Sequence, residues 1–445
     1  MLAQPLKFPK SEILKNLADE LVGVLTEGYQ ATRPFPDRPV ALQGIPEAGQ
    51  GAAALPDLWR QILAGSTKLA APNMSGHMDT APHPFAIMTQ TLVSSLNNNM
   101  LFRELSPFAS TVEEHLIEDF ARRLNLGADW AGTWASGGSI ANLTALFCAV
   151  GGYTDEVDRQ SVHLLFPESG HASLKKAAAI LGLPMRQLHA VACDDAGRLD
   201  TDALGKVLSD LPSKSRPVVV SVLGTTIHGS LDDIPTIADI CQQFGAWHHV
   251  DAVYGGALMF SGMDWPQMAG LHHADSIAVG PQKWMYVPRV SAAVLVKGQA
   301  QFDKRMGVAM PYSLSGETHR GFWGIQGSRP ADALVLWALL QALGTDELGA
   351  AIDRNIQMTR RFHNILSESR FVEPTHVPDL NLQVIRPTCD RSAEEIQQRL
   401  AEAGGFWTSL SAWRGQSYLR SVLLSPALKE NHLHEFTQSL EKAAQ

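Results

Sequence analysis

Apolar residues recur at helical spacing near the start of the chain. Leu14, Leu17 and Leu21 lie three or four residues apart, which predicts an amphipathic helix over residues 11–30. Residues 31–57 are rich in proline and glycine, and we interpret them as an irregular arm. The leucine face of the helix has no obvious partner within the chain, so it could pack on its own subunit or cross an interface.

A capping-box pattern and a glycine delimit another predicted helix. Ser110 and Glu113 are spaced as Ser-x-x-Glu, and the apolar residues Leu116 and Phe120 follow at helical spacing. Gly127 is expected to stop this helix.

Short apolar runs alternate with helical patterns through the middle of the chain. Buried strands are predicted at Val162–Phe166, Val218–Leu223, Trp247–Val250, Ser276–Val279 and Ala292–Val296. Helices are predicted between them, for example at Leu174–Leu181 and Ile234–Phe244. This alternation is typical of an α/β fold with a mostly parallel sheet covered by helices.

The pattern changes after about residue 330 and indicates a small α+β segment. Helices are predicted at Ala331–Leu343, Ala350–Glu368, Ala393–Ala403 and Lys429–Lys442, and strands at Phe371–Pro387 and Tyr418–Leu424. We therefore expect an N-terminal helix and arm at residues 1–70, a large domain at 71–330 and a small C-terminal domain at 331–445.

Composition narrows the function classes. The chain has 445 residues and a net charge of -9, and it has no basic run with interleaved aromatic residues, so nucleic acid is not expected as a partner. It shows neither a signal-peptide pattern nor a long apolar run, so we expect a cytoplasmic protein without a membrane span. Cys148, Cys193, Cys241 and Cys389 are widely spaced, which predicts neither disulfides nor a metal site.

A lysine follows one of the predicted strands in the sequence Gly280-Pro-Gln-Lys283. Partial burial at a strand end lowers the pKa of a lysine and makes its amine available for Schiff-base chemistry. The alternative is an ordinary surface lysine in a loop.

A carboxylate stands at another strand end, in His249-Val-Asp251. An enzyme that uses pyridoxal 5′-phosphate (PLP) needs an acidic group facing the pyridine nitrogen, so that the ring can accept electrons. The alternative is that Asp251 caps the element that follows.

A turn of small residues, Ser136-Gly-Gly-Ser139, precedes the apolar run Leu143–Val150. Such a turn at a helix start exposes N–H groups that bind phosphate. It matches neither the dinucleotide-binding nor the Walker pattern, and a simple glycine-rich helix entry is the alternative.

His171, in Glu168-Ser-Gly-His171, also opens a predicted helix. Its ring could stack on a flat cofactor, or it could be a helix-start histidine bonded to the backbone. The four motifs occur in the order turn, histidine, aspartate and lysine. Each lies at a strand-to-helix junction, where open α/β sheets bind ligands.

Together these motifs resemble the group II PLP-dependent decarboxylases, which include the aromatic amino acid, glutamate and diaminobutyrate decarboxylases. The resemblance covers roughly residues 70–430. The matching motifs are Gly137-Gly-Ser139-x-Ala-Asn142, His171 with Ser173, Gly224-Thr225-Thr226, His249-Val-Asp251-Ala, Lys283-Trp and Gly327-Ser-Arg329.

The resemblance implies the PLP-dependent transferase fold type I and a homodimer with a shared active site. It implies decarboxylation of an L-amino acid to the corresponding amine, with PLP bound to Lys283 as a Schiff base. The implied cofactor-binding residues are Gly137, Gly138, Ser139, His171, Thr225, His249, Asp251, Gln282, Lys283 and Ser328. The implied catalytic residues are Lys283, His171, Asp251 and Tyr312. Ser328 is implied to reach the partner's cofactor phosphate, and the segment 76–83 to enter the substrate pocket.

The chain departs from the family pattern at three places. Gln282 stands where a histidine often precedes the lysine, Val253 stands where alanine is common, and the stretch before Gly327 offers one tyrosine, Tyr312. Tyr312, His171 or a water are the candidate proton donors. Oxidative decarboxylation–deamination to an aldehyde, another carbon–carbon lyase reaction and a non-catalytic PLP-fold binding protein are the alternatives.

Overall fold

The computed structural model describes residues 9–36, 44–154, 157–308 and 319–445. The first elements are α1 (Ser11–Tyr29), α2 (Leu55–Gly65), α3 (Pro84–Leu96), α4 (Pro107–Arg123), β1 (Trp130–Ala135), α5 (Gly138–Ala149), β2 (Val162–Pro167), α6 (Ala172–Ile180), β3 (Leu188–Val191), α7 (Thr201–Ser209), β4 (Arg216–Val222), α8 (Ile234–Phe244), β5 (Trp247–Ala252), β6 (Ser276–Val279), α9 (Pro281–Trp284), β7 (Ala292–Lys297) and α10 (Gln299–Met306). The C-terminal elements are α11 (Ala333–Leu366), β8 (Val372–Pro374), β9 (Leu382–Pro387), α12 (Ala393–Glu402), β10 (Ser409–Trp413), β11 (Gln416–Val422) and α13 (Glu430–Ala444).

The larger sheet has seven strands in the order β1-β7-β6-β5-β4-β2-β3. Only β7 runs antiparallel to its neighbours, which confirms the mostly parallel α/β sheet. Val222 lies opposite Asp251 and Ala252 lies opposite Val279, so β4, β5 and β6 end at one edge of the sheet. The segments that follow these three strands therefore lie together at this edge of the sheet.

The smaller sheet is antiparallel, in the order β10-β11-β9-β8. Leu382, Val384 and Val422 from this sheet pack in the same apolar core as residues of the larger sheet. The predicted α+β segment is confirmed, but Phe371–Pro387 is not one continuous strand, since β8 and β9 are separate and pair with each other. The exact division of the chain near residue 330 stays a prediction.

The first two of the four helices predicted after residue 330 both lie within α11, Ala333–Leu366. Gly344 separates them with non-helical backbone angles, φ 76° and ψ 169°, which glycine adopts without steric strain. Within the part of the chain that the structure describes, α11 alone is long and apolar enough by composition to cross a membrane. Helices in the cores of other proteins meet the same criterion, so this property by itself assigns no span.

The predicted capping box at Ser110 and Glu113 is wrong. Helix α4 begins at Pro107, one residue after its N-cap Ser106, so Ser110 lies inside the helix. Proline at the first position favours this earlier start. Glu113 is fully buried and accepts hydrogen bonds from two arginines instead of capping the helix.

The N-terminal helix contacts α2, which starts within the predicted arm at Leu55. The Tyr29 hydroxyl donates to the backbone oxygen of Pro82 and ties α1 to the segment before α3. Ile13, Leu14 and Val22 remain exposed on α1. The leucine face is thus only partly covered by the same chain.

Candidate active site

A cavity of about 320 Å³ lies at the edge where β4, β5 and β6 end. The predicted residues on its wall are Gly138, Ser139, His171, Asp251, Gln282 and Lys283. His77 and Asp79, from the segment expected to enter the pocket, also lie on this wall. The structure therefore brings most of the predicted site residues together, although they are far apart in the sequence.

Asp251 ends β5 with only 5% of its surface exposed. Its Oδ2 accepts a hydrogen bond from Asn142 Nδ2 at 2.8 Å, and its Oδ1 accepts one from the Val253 N–H at 3.2 Å. Because a carboxylate has about four acceptor positions, two such bonds leave capacity for a ligand in the cavity.

His249 lies behind Asp251 and is absent from the cavity wall. The two residues project from the same face of β5, as positions i and i+2 of a strand do. His249 Nε2 lies 3.1 Å from Asn142 Oδ1, and Nδ1 lies 3.0 Å from Ser276 Oγ. Burial lowers the pKa of His249 to about 4 although the nearby Asp251 charge opposes this shift. The residue is thus a neutral support for Asn142 rather than a wall residue.

Lys283 lies in the short helix α9, directly after β6. Burial lowers its pKa, the Arg420 charge lowers it further, and Asp251 acts in the opposite direction. Trp284 next to it is fully buried and donates to Asn355 Oδ1 at 2.9 Å, which anchors the short helix. The backbone that carries Lys283 is therefore held in place, and its amine loses a proton more readily than that of an exposed lysine.

The small-residue turn leads into α5, whose N-cap Gly137 has φ 87° and provides no side-chain cap. The first N–H groups of a helix lack intrahelical acceptors, so this end can bind an anion. A Cβ atom on Gly138 would lie 2.6 Å from Val253 Cγ1, so only glycine fits there. Gly137 shapes the turn but is absent from the cavity wall.

Gln282, which stands at the family's histidine position, is held beside this turn. Its Oε1 accepts from the Ser291 N–H at 2.7 Å, and its amide lies over Gly137. Thr225 is fully buried and its hydroxyl accepts from the Ser230 N–H at 3.1 Å. Thr225 thus supports its loop, whereas its neighbour Thr226 lies on the cavity wall.

The structure gives His171 the helix-start role, and stacking of its ring on a cofactor stays a prediction. The residue is the N-cap of α6, where Nδ1 accepts from the Ser173 N–H at 3.1 Å. It also lies on the cavity wall. The helix-start contact therefore orients a ring that faces the cavity.

Arg420, which the sequence reasoning missed, comes from β11 in the smaller sheet. Its Nε donates to the Thr226 oxygen at 2.6 Å and its Nη1 to the Gly76 oxygen at 2.9 Å. Burial lowers its pKa to about 10, so it stays charged near neutral pH. An arginine within the predicted strand Tyr418–Leu424 was the available signal, because an arginine that a strand buries needs a specific partner.

Asp79 and Arg289 form an ion pair on the cavity wall. Asp79 Oδ1 also lies 3.9 Å from Lys283 Nζ, so the pair is close to the reactive amine. Burial lowers the pKa of His77, and the charges of Arg420, Lys283 and Arg289 lower it further.

Two predicted residues remain: Ser328, which is absent from this wall, and Tyr312. Ser328 is exposed, and its hydroxyl accepts from Asn99 Nδ2 at 3.2 Å. Tyr312 lies outside the described residues. Among the residues that the structure does describe, no group of three or more His, Cys, Asp or Glu side chains could hold a metal ion.

The residues present fit PLP. The uncapped start of α5, with glycine required at position 138, suits a phosphate. Asp251 retains acceptor capacity toward the cavity and suits a protonated pyridine nitrogen. Lys283 supplies a partly desolvated amine at the same cavity.

Comparison with known proteins agrees with this chemistry. Residues 36–379 match the family described as the pyridoxal-dependent decarboxylase conserved domain. The chain is 28% identical over 418 residues to L-2,4-diaminobutyrate decarboxylase of Rhizobium meliloti (strain 1021), covering 91% of this chain and 84% of the relative. It is 25% identical over 423 residues to an acidic amino acid decarboxylase of Homo sapiens, covering 87% and 80% of the two chains.

The fold is shared with a solved structure. The crystal structure of Oryza sativa TDC with PLP and tryptamine superposes with a TM-score of 0.90 and 19% identity, covering 99% of each chain. This likeness confirms the fold expected from the sequence. With the family match, it shows that the chain belongs to the pyridoxal-dependent decarboxylases and is a PLP-dependent carboxy-lyase that acts on an amino acid.

Proposed function

We propose that the cavity releases CO₂ from an L-amino acid and yields the corresponding amine, with Lys283 as the Schiff-base lysine and Asp251 at the pyridine nitrogen. The observation that carries this assignment is the position of both side chains on one cavity wall. When bound, PLP accepts the electron pair left on the substrate carbon as CO₂ departs. Asp251 stabilises the protonated pyridine nitrogen through its negative charge.

The cofactor phosphate is proposed to bind at the start of α5. Gly138 and Ser139 occupy the first positions of that helix, and the helix dipole favours an anion there. The amide of Gln282 lies over Gly137 and is the further group proposed to face the phosphate. Unlike histidine, an amide does not titrate near neutral pH, so the charge at this point is constant.

Arg420 is proposed to orient the substrate carboxylate. Its guanidinium is held at the cavity wall by two backbone carbonyl groups, from Thr226 and Gly76. A fixed guanidinium binds a carboxylate with defined geometry, which is what cleavage of the adjacent bond requires. Lys283, with its lowered pKa, is suited to exchange its place with the substrate amine.

The substrate side chain is proposed to meet the Asp79–Arg289 pair. This pair presents one negative and one positive group on the cavity wall. By name, the two relatives act on a diamino acid and on acidic amino acids. Exchanging Arg289 for leucine should therefore change the ranking of basic, neutral and acidic substrates more than it changes the affinity for PLP.

We further propose a homodimer in which Ser328 serves the partner's active site. Phe85, Met88, Leu92 and Leu96 leave an exposed apolar face on α3, and Ser328 is exposed and is not on its own cavity wall. An obligate dimer usually buries on the order of 2,000 Å² or more.

An active monomer in sedimentation analysis would contradict the assembly. Hybrid dimers of Lys283→Ala and Ser328→Asp subunits should regain part of the activity that each variant lacks.

We also propose that the domain boundaries lie near residues 70 and 330. We propose a cytoplasmic location for the protein. The match of the family to residues 36–379 extends across both of these boundaries and is compatible with one catalytic unit. Cell fractionation tests the location, and limited proteolysis tests the boundaries.

The experiment that tests the reaction is a screen of L-amino acids with the PLP-loaded protein. Release of CO₂ and the matching amine in equal amounts is the expected result. Formation of an aldehyde with ammonia and peroxide would replace this proposal with oxidative decarboxylation–deamination.

A further inference from the structure

Asn142, on α5 and itself on the cavity wall, contacts Asp251 directly and is connected to the wall residue His171 through Ser173. Its Nδ2 lies 2.8 Å from Asp251 Oδ2 and 3.1 Å from Ser173 Oγ. Ser173 Oγ in turn lies 2.8 Å from Nδ1 of His171. Asn142 and Ser173 are both buried, with 1% and 2% of their surfaces exposed. One amide therefore connects the aspartate and the wall histidine within the protein interior.

The direction of these hydrogen bonds follows from groups that can only accept or only donate. A carboxylate only accepts, so Asn142 must present its NH₂ group to Asp251. The backbone N–H of Ser173 donates to His171 Nδ1 at 3.1 Å, so this nitrogen must be an acceptor. The Ser173 hydroxyl then donates to the same nitrogen and accepts from Asn142. Neutral His171 consequently carries its proton on Nε2.

The orientation of Asn142 also fixes the proton position on His249. With its NH₂ group directed at Asp251, Asn142 presents its oxygen to His249 Nε2 at 3.1 Å, and this oxygen can only accept. His249 Nε2 must therefore carry the proton, which leaves Nδ1 to accept from the Ser276 hydroxyl at 3.0 Å. The indole N–H of Trp247 donates to the same Ser276 oxygen at 3.0 Å, which is compatible with this direction.

We propose that Asn142 is a positioning residue that orients Asp251 and His171 together for the reaction. This inference rests on the proposed function, which places Asp251 at the pyridine nitrogen, and on the position of His171 on the wall of the same cavity. Its two N–H groups and its oxygen are all engaged, so no rotation of the amide preserves the network. Hydrogen bonds in such chains polarise one another, and the loss of one weakens the others.

Asn142 also links the network to the phosphate end of the cavity. It lies on α5 four residues after Gly138, at which that helix begins. Helical residues four apart lie on one face, so Asn142 is one turn below the proposed phosphate site. The position of Asp251 relative to the phosphate is thereby set through a single helix. Loss of the amide should affect cofactor affinity as well as turnover.

The first experiment replaces Asn142 with leucine, which has similar size but no hydrogen-bonding groups. We expect PLP affinity, measured by fluorescence titration, to fall about 10- to 100-fold, as for the loss of a hydrogen bond to a charged group. We expect kcat to fall by more than KM rises, because Arg420 and Asp79 remain in place. Circular dichroism and thermal unfolding establish that the variant is folded. Unchanged PLP affinity and kcat in a folded variant would overturn the inference.

Variants of the neighbouring histidines separate positioning from packing. His249→Gln retains an N–H donor toward Asn142 and should keep most of the PLP affinity, whereas His249→Phe should lose it. His248→Phe is the matched control. His248 is equally buried on the same strand but contacts Ser221 Oγ at 2.8 Å, and adjacent strand residues face opposite sides. Equal losses in the glutamine and phenylalanine variants at position 249, or a similar loss in the control, would refute the role.

A third measurement needs neither cofactor nor activity. Nitrogen-15 spectra of the PLP-free protein, labelled at histidine, report which ring nitrogen carries the proton. His171 and His249 should both be protonated on Nε2, and a proton on Nδ1 of His249 would overturn the network. If wild-type protein releases no CO₂ from any amino acid, the proposed function fails, while these spectra still test the hydrogen-bond network by itself.

Discussion

Asp251 and Glu113 are both buried carboxylates, but they face different partners. Glu113 Oε1 accepts from Arg320 and Arg329 at 2.9 and 2.7 Å, and Oε2 accepts from Arg329 at 2.7 Å. The Trp134 N–H adds a further bond at 3.0 Å. Asp251 has no arginine among its hydrogen-bond partners within the described residues, only Asn142 and the Val253 N–H.

The difference shows that one buried carboxylate, Glu113, can stabilise the fold while another, Asp251, is left available to bind a ligand. Glu113 has its charge balanced and its acceptor positions occupied by protein groups, so it joins β1 to the segment 320–329. Asp251 keeps its charge available at a cavity wall, where a cationic ring nitrogen can complete its surroundings. Changes at Asp251 and its neighbours should therefore reduce cofactor binding and catalysis, whereas changes at Glu113 should reduce stability.

Lys283→Ala should have the largest effect on function and little effect on folding. Without this amine, the visible absorbance band of lysine-bound PLP should be absent and turnover should fall to background. The free energy of unfolding of the cofactor-free protein should stay within about 1 kcal/mol of wild type, because the side chain lies at a cavity. Absorbance and CO₂ release measure the first effect, and denaturant titration the second. Retained turnover with a normal band would refute the assignment of the lysine.

Glu113→Gln should have the opposite pattern of effects, with a large loss of stability and a small effect on function. It leaves two buried arginines without a full counter-charge, and breaking a buried ion pair costs about 3–5 kcal/mol of stability. Glu114→Gln is the matched control, since Glu114 is a partly exposed neighbour on the same helix that pairs with Arg103. The control should lose no more than about 1 kcal/mol. Equal stability losses in the two variants would show that the buried Glu113 pairs contribute no more to stability than the partly exposed Glu114 pair.

The Glu113 cluster should also make stability depend on acid pH. Burial alone would raise its pKa, but Arg329 and Arg320 outweigh burial and lower the pKa from 4.5 to about 2. The unfolded state therefore binds the proton more readily. The stabilisation is complete above pH 4.5 and is lost as the pH falls toward 2, with a magnitude on the order of 3 kcal/mol. The free energies of unfolding of wild type and Glu113→Gln, measured by denaturant titration, should converge as the pH falls over this interval. A constant difference between the two proteins at every pH would contradict the prediction.

Asp251→Asn should preserve the fold and weaken the active site. Asparagine has nearly the same shape but no charge, and the loss of one charge-assisted hydrogen bond is worth about 1.5–3 kcal/mol. We expect this loss in the free energy of PLP binding, and the fall in kcat can be larger because the charge acts mainly in the transition state. Unchanged turnover would place the partner of the pyridine nitrogen elsewhere.

The smallest of these effects is expected for His171→Phe. Phenylalanine keeps a flat face toward the cavity but loses the contact of Nδ1 with the Ser173 N–H, which caps α6. A lost cap of this kind costs about 1 kcal/mol. PLP affinity should remain closer to wild type than in His171→Ala, which loses the flat ring as well. If both variants slow catalysis equally, the polar role dominates, and if neither changes PLP affinity or rate, His171 is a structural helix-start residue.

Much of the fold and part of the site could be predicted from local sequence. The strands at Val162–Phe166, Trp247–Val250 and Ser276–Val279 were located correctly within a few residues. Strands β1, β3 and β10 were missed. The short strand β10, for example, alternates buried and exposed positions over only five residues, too few for a clear period. The motif at Gly138 was recognisable as a turn of small residues before a helix, and Asp251 and Lys283 were recognisable because they stand at the ends of predicted strands.

The fold class and part of the cavity wall thus followed from patterns within about ten residues, since hydrophobic periodicity and turn glycines act locally. The partners of those residues were decided by packing. Asn142 and Asp251 are 109 positions apart, and Glu113 and Arg329 are 216 apart. The placement of Arg420 needed the smaller sheet to dock against Gly76 and Thr226. A buried charge is stable only beside a partner, and the folded chain alone determines which side chains become neighbours.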